Sequence, residues 1–114
     1  WFIFRLKNGS VVFPGTMVFL VSVIVSPVAE EIIFRFFIQN NIHRLTEKKL
    51  FFISVSNLAT SVLFSLFHLF VWSTGHSFLV FFPSLAFGFI YEKTGRLRYA
   101  VLLHGVYNLN VFML

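Results

Sequence analysis

The chain has 114 residues, 58% of them hydrophobic and only 11% charged, with 18 phenylalanines and a formal net charge of +5. Soluble domains run nearer about 45–50% apolar, so this composition argues against a water-soluble fold and for a lipid environment. The bases stand in short stretches between long apolar runs, which speaks against nucleic acid as a partner. With no cysteine, thiolate metal sites and cysteine nucleophiles are excluded.

In chain order, the sequence opens on Trp1, and a fragment of a longer chain, short of N-terminal helices, is expected. Arg5 and Lys7 precede the first apolar run, which extends from Val11 to Asn41 and is interrupted by Pro14, Gly15 and Pro27. The pattern predicts one long helix from about Pro14 to Asn41, kinked near Pro27. A break into two half-helices is the alternative, although Glu30 to Ile42 alone falls short of the ~20 residues of a membrane span. Arg44, Glu47, Lys48 and Lys49 then form a basic loop over 43–49. Leu50 to Thr74 is a second apolar run, more polar at its start, and Gly75 and His76 make a turn. Ser77 to Tyr91 and Tyr99 to Leu114 are the third and fourth runs, separated by Glu92, Lys93, Arg96 and Arg98.

Backbone groups in lipid must be satisfied internally, by helices or closed barrels. A barrel needs ~10-residue segments of alternating polarity, and these runs are continuous. The expected fold is therefore all-α: a polytopic transmembrane helical bundle of about four membrane helices, forming one domain over 1–114. Loops 43–49 and 92–98 lie two crossings apart and fall on one side. The lysine/arginine bias makes that side cytoplasmic in a multi-pass membrane protein. Arg5 and Lys7 fit the rule less well, since one crossing puts them outside.

Charges inside the apolar runs cost ~2.5–3.5 kcal/mol on insertion scales and are functional candidates for that reason. Only Glu30, Glu31 and Arg35 qualify. On a helix the two glutamates point ~100° apart and cannot share one task. Glu31 and Arg35 are four apart in the favourable order for an ion pair. Their pairing leaves Glu30 as the unneutralised carboxylate, the form a general base needs. The plainer alternative is a buried clamp between helices, which does not require a second glutamate. His68 has apolar neighbours, with Phe64 one turn earlier on its face, and a bond to a nearby carbonyl would account for it equally well. His104 and Asn108 share a helix face and could donate to one oxygen as an oxyanion site requires, or simply join helices. Gly105 permits close helix approach. His43 and His76 read as solvated or interfacial loop residues, and Ser22, Ser26, Thr60 and Ser65 as residues able to bond their own helix backbone. The three polar clusters reach a common depth only if the second helix starts near Asn57, with Leu50 to Ser56 lying along the interface first.

Taken together, EEIIFR at 30–35, FSLFH at 64–68 and HGVYN at 104–108 resemble the EExxxR, FxxxH and HxxxN motifs of the CPBP family, the CAAX protease and bacteriocin-processing (Abi) intramembrane proteases. The resemblance implies an endopeptidase acting near the bilayer. Glu30 would match the base that activates a water together with His68. Glu31 and Arg35 would match the structural pair, and His104 and Asn108 the oxyanion donors. The family is described both as metal-dependent and as metal-independent. Glu30, His68 and His104 could form a zinc site of His₂Glu type, but activated water without an obligatory metal is favoured. The short loops favour a bacterial plasma-membrane member whose substrate is a peptide, a bacteriocin leader or a membrane protein, rather than a prenylated protein. Two other functions compete: a non-catalytic immunity or binding protein that uses the same polar residues structurally, and a haem binder with His68 and His104 as axial ligands.

Overall fold

The structure, a computed structural model, describes residues 5–7, 10–12, 15–72 and 78–113. Pro14, the expected turn at Gly75 and His76, and the last residue of the fourth run lie outside these. From 16 to 45 the chain is helical without a break. The α-helical segments Thr16–Leu20, Ser26–Glu31 and Asn40–Leu45 alternate with π-helical stretches Val21–Val25 and Ile32–Gln39, and together form α1. Pro27 opens the middle α-segment, where a missing N–H is tolerated, so the chain does not divide into two half-helices.

The irregularity before Pro27 takes the form of a wide turn that frees two carbonyls. The Ser26 N–H bonds the Val21 carbonyl, five residues back, instead of that of Ser22. Pro27 has no N–H to offer Val23. The fourth helix, α4 (Leu97–Met113), docks on this pair. The Asn108 amide donates to the Ser22 carbonyl at 2.8 Å. A Cβ on Gly105 would stand 2.9 Å from the Val23 carbonyl oxygen, so only glycine lets the backbones approach this closely.

The fold departs from all-α at two small hairpins. β1 (Arg5–Lys7) pairs antiparallel with β2 (Ser10–Val12), and β3 (Lys49–Leu50) with β4 (Ile53–Ser54). The second hairpin delays the next helix, α2 (Val55–Trp72), as convergence of the polar clusters requires. The start is set by Ser54, whose hydroxyl accepts the Asn57 backbone N–H at 3.0 Å in N-cap fashion. α3 (Phe81–Thr94) packs on α2 and α4, and α1 packs on both of these and meets α3 directly through Arg35, Gln39 and Asn40.

Burial is inverted relative to a water-soluble protein. Among the described residues the large buried apolar side chains are few, led by Phe34, Phe64, Val80 and Phe87. The interior instead holds Glu31, Arg35, Gln39, Asn57, His68, His104 and a set of serines, while Phe36, Phe37, Phe70, Phe82 and Leu102 are exposed. No helix among the described residues is long and apolar enough to cross a membrane. The 14 residues of α3 and 17 of α4 rise only about 21 and 26 Å, against a hydrocarbon core of about 30 Å. α1 is longer but carries four charges, Glu30, Glu31, Arg35 and Arg44.

The packing predicts that Gly105→Ala and Gly88→Ala each destabilise the protein by roughly 1–3 kcal/mol through overpacking. At position 88 a Cβ would press on the Asn57 amide and stand 2.8 Å from Gln39 Oε1. Gly15→Ala, with open space around the new Cβ, is the control. Thermal unfolding in detergent micelles should show lower Tm for the first two and none for the third.

Candidate active site

The geometry starts from α1. Strict 3.6-residue winding makes positions four apart precess by about 40° per step. The π-helical turns widen the winding, and Glu31, Arg35 and Gln39 all stay on the buried side. A neighbouring row carries Ser22, Ser26, Glu30 and Phe34. The two adjacent glutamates thus belong to different rows and take different partners, as their angular separation requires.

Glu31 is wholly buried against Arg35, whose Nε donates to Oε2 at 2.8 Å. The other guanidinium nitrogens donate to Gln39 Oε1 at 3.1 Å and to the Ser84 carbonyl and hydroxyl at 2.7 and 2.6 Å. The second oxygen of Glu31 meets His104 Nδ1 at 2.9 Å. Glu30 alone in the group keeps some exposure, 12%, against 1% for either imidazole. Its Oε1 lies 3.1 Å from His68 Nε2 and its Oε2 3.6 Å from His104 Nε2. Ser26 donates to Oε2 at 3.0 Å. Both imidazoles are therefore buried and within a side chain's reach of the acidic pair.

The partners fix the tautomers. His68 Nδ1 sits 2.7 Å from the Phe64 carbonyl, which can only accept, so Nδ1 carries a proton. His104 Nδ1 faces the oxygen of Glu31 that Arg35 leaves open as an acceptor, so it too carries a proton. The Nε2 atoms of both rings are thus turned on Glu30. A bare Nε2 and an ionised carboxylate oxygen 3.1 Å apart are both acceptors, so the Glu30–His68 pair needs one proton between them. Such a pair can take up and return a proton, the chemistry of a general acid–base. Aromatic contacts lock the rings: His104 stacks on Phe87 with centroids 4.7 Å apart, and Phe64 lies 4.3 Å from His68 and 5.8 Å from His104.

Against known proteins, the family model described as type II CAAX prenyl endopeptidase Rce1-like matches residues 12–110. The chain belongs to this family. No curated protein and no solved structure matches the chain significantly. The match to the Rce1-like family spans all three motif segments, 30–35, 64–68 and 104–108, and agrees with the CPBP resemblance.

Within this Rce1-like chain, the structure brings Glu30, Glu31, Arg35, Phe64, His68 and His104 together. Asn108 is different: its amide nitrogen is engaged by Ser22, and its Oδ1 is buried without a hydrogen-bond partner among the described residues. No group of three or more histidines, aspartates or glutamates among the described residues is disposed to hold a metal ion. Of Glu30, His68 and His104, the residues named for any metal, Glu30 faces the Nε2 atoms of both histidines at 3.1 and 3.6 Å.

Sequence reasoning missed Ser26, Gln39, Ser84, Phe87 and Glu92. Ser26 and Gln39 had a legible signal, because they stand four residues before Glu30 and four after Arg35. Ser84, Phe87 and Glu92 reach the site only through the packing of α3. His43 lies in the last turn of α1 rather than in a loop, half-buried, with its Nδ1 3.3 Å from the Ser56 hydroxyl. His76 lies outside the described residues.

Removing one partner of the buried pair leaves an uncompensated charge, which costs about 3–5 kcal/mol. Arg35→Met should lower unfolding stability on that scale in denaturant titrations in mild detergent. The double replacement Glu31→Leu with Arg35→Met should lose much less than Arg35→Met alone.

Proposed function

We propose that the chain is an intramembrane endopeptidase that hydrolyses a peptide bond at the membrane by a water activated at Glu30. The supporting observation is the Glu30 carboxylate facing His68 Nε2 and His104 Nε2, with both rings held in fixed tautomers by Phe64 and Glu31. Membrane placement draws support from the inverted burial. Apolar side chains such as Phe36, Phe37 and Phe70 cover the outside, while the charges lie within. Loops 43–49 and 92–98 are read as cytoplasmic in a bacterial plasma membrane. The two stretches begin at one end of the bundle, where Asn40 bonds Tyr91 and Gln39 bonds Glu92.

In this mechanism Glu30 takes a proton from water as the water oxygen attacks the scissile carbonyl carbon. His68, sharing the proton of the pair, holds the carboxylate in the state that can accept. His104 acts as the imidazolium, its Nδ1–H anchored on Glu31 and its Nε2–H, on the side of Glu30, donating to the oxyanion. Asn108 contributes its remaining amide N–H and anchors α4, which carries His104. Collapse of the tetrahedral intermediate breaks the C–N bond, and the proton held by Glu30 and His68 passes to the leaving amine. The products are a carboxylate and an amine. No step requires a metal.

The substrate is a peptide or membrane-protein segment reaching the carboxylate from the bilayer, in a setting of bacterial peptide or bacteriocin-related processing or immunity. The family description makes a CAAX peptide the first to try. Prenylated and unprenylated forms of one fluorogenic peptide test whether the lipid is read.

Glu30→Ala, His68→Ala and His104→Ala are expected to cut turnover by about 10²–10⁴-fold while the proteins remain folded in the membrane. If all three variants cleave as the parent does, the endopeptidase reading is wrong. Activity should also survive 1,10-phenanthroline and EDTA; loss with chelator and recovery with zinc would replace the metal-free mechanism.

A further inference from the structure

Glu92 stands among basic residues at the end of α3, where its sequence context suggests a solvated loop charge. In the fold it is half-buried, and its Oε2 collects three hydrogen bonds from three elements: Gln39 Nε2 of α1 at 2.6 Å, Ser54 Oγ of β4 at 2.5 Å and Ser56 Oγ of α2 at 3.2 Å. An oxygen accepting three donors calls for an anionic acceptor, since charge-assisted bonds are the strong ones.

A continuous line of bonds runs from this carboxylate to the catalytic imidazole. Gln39 donates to Glu92 and to the Gly88 carbonyl, which fixes its amide so that Oε1 faces Arg35 Nη1 at 3.1 Å. Arg35 Nε then holds Glu31 Oε2, and Glu31 Oε1 holds His104 Nδ1. A second branch passes from Arg35 through Ser84 and Ser61 to the Asn57 side-chain oxygen, while the Asn57 backbone N–H is held separately by Ser54, which bonds Glu92. Each bond in such a chain polarises the next. Without an anion at 92 the Gln39 amide loses the partner that orients it, and Arg35 loses an acceptor in a place where water cannot replace it.

We infer that Glu92 is a positioning residue of the active site, which acts through Gln39, Arg35 and Glu31 to hold the Nδ1–H of His104 and so aim its Nε2. The inference rests on the endopeptidase reading for its kinetic consequence, though not for the bond line itself. A residue that only tied α1, β4 and α2 together would alter stability and leave the chemical step of the folded enzyme unchanged.

The test uses the full chain in lipid nanodiscs and the farnesylated and unprenylated forms of one quenched-fluorescent CAAX peptide, with Glu30→Ala as the blank. Glu92→Gln and Gln39→Met should each lower kcat about tenfold, the size of effect seen when an outer partner of an oriented histidine is lost. KM should hold, because His104 acts on the transition state. The double variant should be no slower than the slower single one, since both cut the same line. Glu92→Asp, which keeps the carboxylate, should recover most of the rate. Parent kcat in folded Glu92→Gln, or losses that multiply in the double variant, overturns the inference.

A measurement without turnover separates this claim from the endopeptidase reading. In protein labelled with ¹⁵N-histidine, the His104 Nδ1–H proton should give a downfield resonance. Glu92→Gln and Gln39→Met should shift or broaden it while leaving the Nδ1–H of His68 in place. An unchanged His104 resonance overturns the inference whether or not peptide is cut. A parent no faster than Glu30→Ala sinks the endopeptidase reading and leaves the resonance to decide this one. Should Glu92→Gln not accumulate as folded protein, Gln39→Met carries the same readouts.

Discussion

Arg35 carries a charge where no solvent reaches it, and its N–H groups must find acceptors within the protein. That requirement organises the interior. Glu31 supplies the countercharge, Gln39 and Ser84 supply oxygens, and each is then engaged on its far side by another helix. The far side of Glu31 is His104, so satisfying the arginine and orienting the imidazole are one arrangement. A neutral or mobile residue at 35 would leave Glu31 free to rotate and His104 free to change tautomer. The ion pair is therefore at once a clamp within α1 and the anchor of the His104 ring.

The winding of α1 serves the same end. Its wide turns keep Glu31, Arg35 and Gln39 on one side of a long helix, and the turn before Pro27 exposes carbonyls where α4 seats Asn108 and Gly105. π-turns of this kind recur at functional sites because they rotate side chains and free backbone groups. The polar interior is thereby closed on itself, and the apolar side chains are left outside, in the arrangement a lipid environment tolerates. Stability of such a bundle comes from satisfied polar groups and close backbone packing more than from burial of apolar surface.

Much of the site could be read from spacing. Pairs four apart, Glu31 with Arg35 and His104 with Asn108, put side chains on a shared face, and the three motifs in order named the family that the match over 12–110 then showed. The late start of α2 was legible as a condition for convergence, although its cause, the Ser54 cap on Asn57, required coordinates. The hairpin at 49–54 was hidden because two-residue strands carry no periodic signal. Asn108 illustrates the limit of facing arguments: it shares a face with His104, yet its amide is drawn to a carbonyl freed by an irregular turn in another helix.

By itself the sequence determined the helical class, the apolar exterior and which polar residues stand inside the apolar runs, because these follow from composition and local period. Only the tertiary structure decided which nitrogen of each imidazole bears the proton, that both Nε2 atoms turn on Glu30, and that Glu92 belongs to the same bonded line. Those features depend on distances between residues dozens of positions apart, which helix packing sets and no local pattern of residues encodes.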